Sequence, residues 1–322
     1  MNLPGFRTDA QFALPHGSGC GCALHSRRLF SAAVLAGGAG LALPALAQQA
    51  AQADAGVRAD VGNESTFTRL VSAEQVEQAA AQQYAQMMRS AADQRALGPA
   101  SHPQVQRLRA IAQRIIPFAE VWNPRAKQWR WEVNLLGSKD LNAFCMPGGK
   151  IAFFHGILAQ LQLDDDEVAA IMGHEMAHAL REHARERMGK TAATRIGATV
   201  LSAFLGLGGT GDALLSMGGQ LLTLKFSRED ESEADIVGMD LAARAGYDPK
   251  AGVTLWQKML ATNKGAPPPF LSTHPSGATR IQDIEAKLPK VAPLYAKADK
   301  PSQRFGPPAK PAASAGASAA GR

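Results

Sequence analysis

Two histidines four residues apart, with a glutamate beside the first, are the residues here whose types and spacing could do chemistry: His174-Glu175-Met176-Ala177-His178. Side chains four apart lie on one face of a helix, so both imidazoles would point at one place with Glu175 next to them. Two imidazole nitrogens suit a zinc ion, and the adjacent carboxylate is placed to take a proton from a water on the metal. The pattern is short, and by itself it also describes an amphipathic helix with two surface histidines. Catalytic zinc needs a third protein ligand and a fourth position open to water. Candidates lie in Ser227-Arg228-Glu229-Asp230-Glu231-Ser232-Glu233-Ala234-Asp235, where Glu231 and Asp235 share a helix face. One acid could bind the metal while the other orients a histidine from behind. Spacing alone does not choose between Glu231 and Glu233. His183 follows His178 by five residues, about 140° round a continuous helix, and is not expected in the same site.

The elements that must position these groups follow from capping and periodicity. Asp164 suits a helix cap, and Asp165, Asp166 and Glu167 favour the positive end of the motif helix. Val168, Ile171, Met172, Met176 and Ala179 surround the motif and bury most of that helix, whose end over 181–187 is polar. Upstream, Ser72 followed by Gln75 opens a long Ala/Gln-rich helix that ends near Gly98-Pro99. A second helix after Pro103 carries Val105, Leu108, Ile111, Ala112, Ile115 and Ile116 at helical spacing. Residues 129–136 alternate like a strand, with Trp129, Trp131, Val133 and Leu135 on one face. Residues 142–154 read as strand, Pro-Gly-Gly turn and strand, with His155 at the end in a structural role. A short helix reaches Leu161, helices are expected over 229–245, 249–260 and 277–288, and 263–273 reads as a loop. The fold class expected is α+β, mainly helical, with a small β-hairpin or sheet beside the motif helix.

The 322 residues, 46% of them apolar, suffice for a sizeable core. The formal charge of +6 is of mixed sign along the chain, and no Lys/Arg run is interleaved with aromatics, which argues against a nucleic-acid partner. Cys20 and Cys22 lie near the N-terminus and Cys145 alone in the body, so no thiolate zinc cluster is expected. Arg27-Arg28, a short Gly/Ala-rich apolar run and Ala45-Leu46-Ala47 read as an export signal over 1–47. It resembles a bacterial twin-arginine signal, with Ser31 where leucine is usual, and places the mature chain outside the cytoplasm. Residues 48–66 read as a flexible lead-in and 291–322 as a disordered Ala/Pro-rich tail. The apolar, Gly-rich stretch 192–224 is short for a membrane span, and reads as a buried or mobile helical pair covering the site.

The ordered combination of motifs carries a resemblance. His174-Glu175-x-x-His178, followed about fifty residues later by Ser227-Arg228-x-x-Glu231-x-x-Ala234-Asp235, is similar to the zinc metallopeptidases typified by HtpX and the CAAX prenyl proteases. It is most like their soluble periplasmic branch, which includes BepA and LoiP. Asn142-Ala143-Phe144 with Pro147-Gly148-Gly149, then Gly246-Tyr247-Asp248-Pro249 and Ser272-Thr273-His274-Pro275-Ser276, extend the similarity over roughly 70–290. No counterpart of the transmembrane helices of HtpX-like members or of the tetratricopeptide array of BepA is recognised.

The resemblance implies a zincin-type metallopeptidase domain over 67–290 and one zinc per chain on His174, His178 and Glu231, with Asp235 as the accompanying acid. It implies Glu175 as general base, and His274 near the metal as oxyanion donor or occupant of the open position. Asn142, Ala143 and Phe144 would belong to an edge strand to which an extended substrate adds. Implied substrates are unfolded or misassembled envelope polypeptides, with contact to a membrane surface or an outer-membrane assembly as a further partner class. The competing reading is a zinc-stabilised chaperone or binding protein that no longer cuts; Glu175 argues against it, because metal binding alone needs no general base there.

Overall fold

A computed structural model describes residues 55–194, 224–262, 269–275 and 279–309. The signal-like N-terminus, most of the Gly-rich 192–224 stretch and residues 310–322 lie outside the described residues. Helix α1 (Ala73–Asp93) starts where Ser72 Oγ accepts from the Gln75 N–H, and α2 (Pro103–Ile115) starts at a His102 cap with proline in the first turn. Strands β1 (Glu132–Leu136), β2 (Ala143–Met146) and β3 (Lys150–Phe154) follow. After them come α3 (His155–Gln160), α4 (Asp165–Leu180) and α5 (His183–Ala192). Beyond the undescribed stretch lie α6 (Arg228–Arg244), α7 (Ala251–Ala261), the short α8 (Pro269–Thr273) and α9 (Arg280–Lys297). The architecture is therefore mainly helical with one small sheet, as the patterning predicts. Among the described residues no helix is long and apolar enough to cross a membrane.

The sheet runs β1-β3-β2, with β1 parallel and β2 antiparallel to β3. The 142–154 hairpin forms as expected, because Gly148 and Gly149 turn at φ values of 81° and 77°, which side chains resist. Alternation sorts the strands onto two cores. Val133, Leu135, Ala143, Cys145, Ile151 and Phe153 face the large cluster with α2, α4 and α6. Phe144, Met146 and Ala152 face Val76, Ala80 and Tyr84 of α1. The ladder begins at Glu132 rather than at 129: a turn over Pro124–Gln128 precedes it, and Trp129 Nε1 donates sideways to Glu77.

The motif helix α4 packs against α6 backbone to backbone. A Cβ built on Gly173 would lie 2.5 Å from the Gly238 carbonyl oxygen, and one on Gly238 would lie 2.5 Å from His174 N. Only glycine permits that approach, and it brings the two halves of the candidate site within reach of each other.

Four boundaries differ from expectation. Helix α1 stops at Asp93, because Arg95 turns into the left-handed region and Gly98 N–H bonds Leu135 O of the sheet. The 263–273 loop contains α8. The final helix runs to Lys297 through Pro289 and Pro293, since Val291 and Leu294 are buried and hold the continuation. The flanks are structured where they are described. In the lead-in, Val57 is fully buried and Asp60 pairs with Lys287 and Lys290. In the tail, Phe305 N–H donates to Asp165 at 2.8 Å and Arg304 pairs with Asp166. Composition could not show these, because every partner lies over a hundred residues away in sequence.

Candidate metal centre

A capping box starts α4: Asp164 Oδ1 accepts from the Glu167 N–H, and Glu167 Oε2 accepts from the Asp164 N–H, both at 2.9 Å. Two turns on, the helix presents His174 and His178 on one face, their Nε2 atoms 3.1 Å apart. A second capping box, Ser227 with Asp230, starts α6 and sets Glu231 in its first turn. Glu231 Oε1 lies 3.4 Å from His178 Nε2, and Oε2 lies 3.6 Å from His174 Nε2. His274, which follows α8, completes the group with Nδ1 3.3 Å from His174 Nε2 and 3.0 Å from Glu231 Oε1. All four residues are buried, and their ligand atoms lie within 4.8 Å of one another.

The group fits a divalent metal. Zinc bonds of 2.0–2.2 Å in a tetrahedron give edges of about 3.3–3.6 Å, and the five separations run from 3.0 to 3.6 Å. Glu175 Oε1, buried, lacks a hydrogen-bond partner. Such an oxygen is costly unless something else satisfies it. The ring nitrogens of His174, His178 and His274 converge at 3.1–3.3 Å, a spacing that a cation among them would also satisfy.

The outer face of the group is built as firmly. His174 Nδ1 is 2.9 Å from Asp235 Oδ1, so Asp235 orients that ring from behind. Arg280, at the start of α9, donates Nε and Nη2 to the two Asp235 oxygens at 2.6 and 2.8 Å. Its Nη1 lies 2.8 Å from Glu231 Oε2 as an ion pair without a directed hydrogen bond, and its guanidinium stacks on Trp256 at 3.5 Å. Glu233 stays outside the group, paired with Arg181. The choice that spacing left open is thus made by the direction in which α6 presents its first turn.

Electrostatics mark the same residues. Burial pushes the Glu175 carboxyl above the ordinary glutamate value, although His274 and His174 pull the other way. Burial opposes charge on Asp235 too, yet Arg280 and His174 hold its carboxyl below the usual range. Burial disfavours a charged His274, but Glu175 and Glu231 on either side outweigh that and raise its pKa. Burial drives His178 well below the ordinary histidine value, which keeps a lone pair free.

Glu175 faces a narrow cleft of about 50 Å³ lined by Asn142, Ala143, Phe144, Phe226 and His274 among others. Strand β2 forms one wall as the sheet edge. Phe154 N–H bonds Asn142 O and Gly149 N–H bonds Met146 O, so the alternate residues Ala143 and Cys145 turn their backbone groups away from β3. The Ala143 N–H is taken by the Asn142 side chain at 3.0 Å, which leaves the Ala143 and Cys145 carbonyls on that edge. His155 starts α3 and is not part of the group, as expected.

Residues 102–288 match the profile of peptidase family M48, more than half of the chain. The chain belongs to this family. Among relatives, it is similar to the mitochondrial metalloendopeptidase OMA1 of Schizosaccharomyces pombe, 36% identical over 195 residues, covering 60% of this chain and 55% of that one. The mitochondrial metalloendopeptidase OMA1 of Arabidopsis thaliana is 40% identical over 150 residues, covering 47% of this chain and 30% of its own. The metalloprotease LoiP of Escherichia coli is 30% identical over 154 residues, covering 47% of this chain and 60% of its own. The chain thus spans between 30% and 60% of the length of these relatives. Membership of an M48 metallopeptidase family agrees with a divalent metal at the His/His/Glu/His group.

The sequence reasoning missed Arg280, Phe226 and the place of His183. Phe226 stacks on the His178 ring at 3.9 Å between centroids and 22° between planes. Neither Phe226 nor Arg280 stands at a spacing that marks it; both arrive through the chain's return to α4. His183 stays outside the group, as expected, but not for the helical reason given: the helix breaks before it, and its Nδ1 lies 2.9 Å from His178 Nδ1.

Proposed function

We propose that this M48 chain is a zinc-dependent metalloendopeptidase that hydrolyses peptide bonds of unfolded or misassembled polypeptides on the outer side of a bacterial cytoplasmic membrane. The observation that carries the reading is Glu175, buried and with one oxygen lacking a hydrogen-bond partner, in the cleft between a four-residue metal group and the edge strand β2. His174, His178 and Glu231 hold the metal. When bound, zinc supplies Lewis-acid polarisation of a carbonyl and an acidified water.

Glu175 takes the water's proton and delivers it to the leaving amine. A carboxyl raised by burial suits that exchange near neutral pH. An extended substrate adds to β2 through the outward Ala143 and Cys145 carbonyls, which recognise backbone rather than side chains. An edge of that kind favours chains that are already unfolded. His274 Nδ1 lies 3.3 Å from His174 Nε2 and 3.0 Å from Glu231 Oε1, and its Nε2 lies 3.4 Å from Glu175 Oε1. A ring so placed beside Glu175 would be near enough to donate to the oxyanion of a substrate held at the group.

Export is proposed on Arg27-Arg28 and the run to Ala47. The test is to purify the exported form, measure metal and assay cleavage of an unfolded protein. We expect about one zinc per chain and cleavage abolished by a chelator. Glu175→Gln should keep its zinc and lose about 10²–10⁴-fold in rate. A Glu175→Gln variant that cuts as fast as wild type sinks the mechanism. A zinc-loaded wild type that binds unfolded chains without cutting them establishes the chaperone reading instead.

A further inference from the structure

His178 and His174 are held from behind in different ways. His174 meets a carboxylate, Asp235, whereas the outer nitrogen of His178 meets another imidazole, His183, at 2.9 Å. His183 is 2% exposed, and its far nitrogen, Nε2, lies 3.9 Å from Glu233 Oε1. Glu233 is in turn held by Arg181. A line of four side chains therefore runs outward from the metal group: His178, His183, Glu233, Arg181.

The backbone is bent to make this line. A continuous helix would carry His183 about 140° away from His178. Instead α4 ends at Leu180, and Glu182 adopts φ 56° and ψ 30°, a left-handed conformation that costs a non-glycine residue about 1 kcal/mol or more. That single residue redirects the chain so that His183, the first residue of α5, lies against the ring it would otherwise miss. Glu182 is itself buried and paired with Arg185, whose Nε donates to Val71 O, so surrounding structure enforces the turn.

The proton positions follow by elimination. With the Nε2 lone pair of His178 directed at the metal, its proton sits on Nδ1. The acceptor at 2.9 Å is His183 Nδ1, which must then be bare, so the His183 proton sits on Nε2 and faces Glu233.

We propose that His183 is a positioning residue of the metal centre: it accepts the Nδ1–H of His178 and, backed by Glu233, fixes that ligand's ring and tautomer. The proposal rests on the reading of His178 as a metal ligand. Glu233, the acid excluded from the group, stands 3.9 Å from His183 Nε2 and favours a proton there by its charge rather than by a direct hydrogen bond. The positioning role also explains why Glu182 holds a strained conformation beside the site.

The test measures zinc affinity by chelator competition, with His183→Phe, His183→Asn and His178→Ala in the full exported chain. Asparagine places an oxygen where His183 Nδ1 stands and keeps the acceptor; phenylalanine keeps the ring and removes it. His183→Phe should weaken zinc binding by roughly 10–100-fold, the usual effect of removing a partner behind a ligand, and His183→Asn should restore most of it. Wild-type affinity in His183→Phe, or equal losses in both variants, overturns the proposal. His178→Ala separates the two readings. If it too binds zinc normally, the ligand assignment has failed; if it alone loses zinc, only the positioning role has failed. A fourth measurement needs no variant: in zinc-loaded wild type, ¹⁵N spectra of the histidine rings should show His183 protonated on Nε2. A proton on its Nδ1 overturns the proposal even should His183→Phe not fold.

Discussion

Replacing Gly238 by alanine tests how the fold sets the site. A methyl there would lie 2.5 Å from His174 N and 2.7 Å from the Gly173 carbonyl carbon, whereas ordinary contact begins at 3.4 Å. Both obstacles are backbone, so no side chain can swing away, and α4 and α6 must separate by about 0.9 Å. Glu231 rides on α6 and the two histidines on α4. The His178–Glu231 separation of 3.4 Å would then grow by up to about 0.9 Å, enough to leave the roughly 3.3–3.6 Å edge that zinc bonds span. Overpacking costs about 1–3 kcal/mol, offset by at most about 1 kcal/mol of helix propensity. Metal clamps the helices at their native spacing, so this strain falls on metal binding, and 1–3 kcal/mol corresponds to roughly 5- to 140-fold in affinity. The assay is chelator competition for zinc, with urea unfolding of the metal-free protein alongside. Gly252→Ala in α7 is the matched control, since its methyl meets only Ile284 Cγ2 at 3.8 Å. It should keep wild-type affinity and gain up to about 1 kcal/mol. A Gly238→Ala protein that binds zinc as tightly as wild type would refute the claim that this crossing sets the ligand geometry.

Other outcomes follow from the same structure. Arg280→Met leaves Asp235 and Glu231 buried without their shared cation, and should cost about 3–5 kcal/mol in urea unfolding of the metal-free protein. Asp235 is held below the ordinary carboxylate value, so the contribution it makes with Arg280 is present above about pH 4 and fades as pH falls further. The difference between wild type and variant should therefore be largest near neutrality and narrow in acid; a constant gap contradicts this. Glu231→Ala should lose zinc whereas Glu233→Ala should still load, and the reverse pattern would exchange their roles. Burial pushes the Tyr247 hydroxyl up to about 12, so the folded protein resists its deprotonation. Its contribution is intact below pH 10 and falls as pH rises towards 12, by at most about 2–3 kcal/mol. Tyr247→Phe should flatten that part of the alkaline unfolding profile, and an unchanged slope would assign it to other groups.

Much of the scaffold was legible in local sequence because its signals are local. Asp164 and Ser227 cap the two helices that carry the site, and Pro147-Gly148-Gly149 turns the hairpin, each through contacts within a few residues. The helical period put His174 and His178 on one face, and alternation divided the strands between two cores. The described parts of the lead-in and of the tail depart from expectation for the opposite reason. Val57, Asp60, Arg304 and Phe305 sit in stretches of weak composition, and their partners are remote in sequence.

The sequence by itself determined that a histidine pair with an adjacent glutamate would stand on a buried, capped helix, since spacing and capping are properties of one segment. Spacing left open which acid reaches that pair; the resemblance implied Glu231, and the tertiary structure brings it there. Glu231 and Glu233 are equivalent in composition and differ only in where α6 points them once Gly173 and Gly238 let the helices touch. The placing of Arg280 between Asp235 and Glu231, and of His183 behind His178, depends likewise on a helix crossing and on one left-handed residue. These are relations between segments, set by which backbones can approach closely, and no periodicity within a segment encodes them.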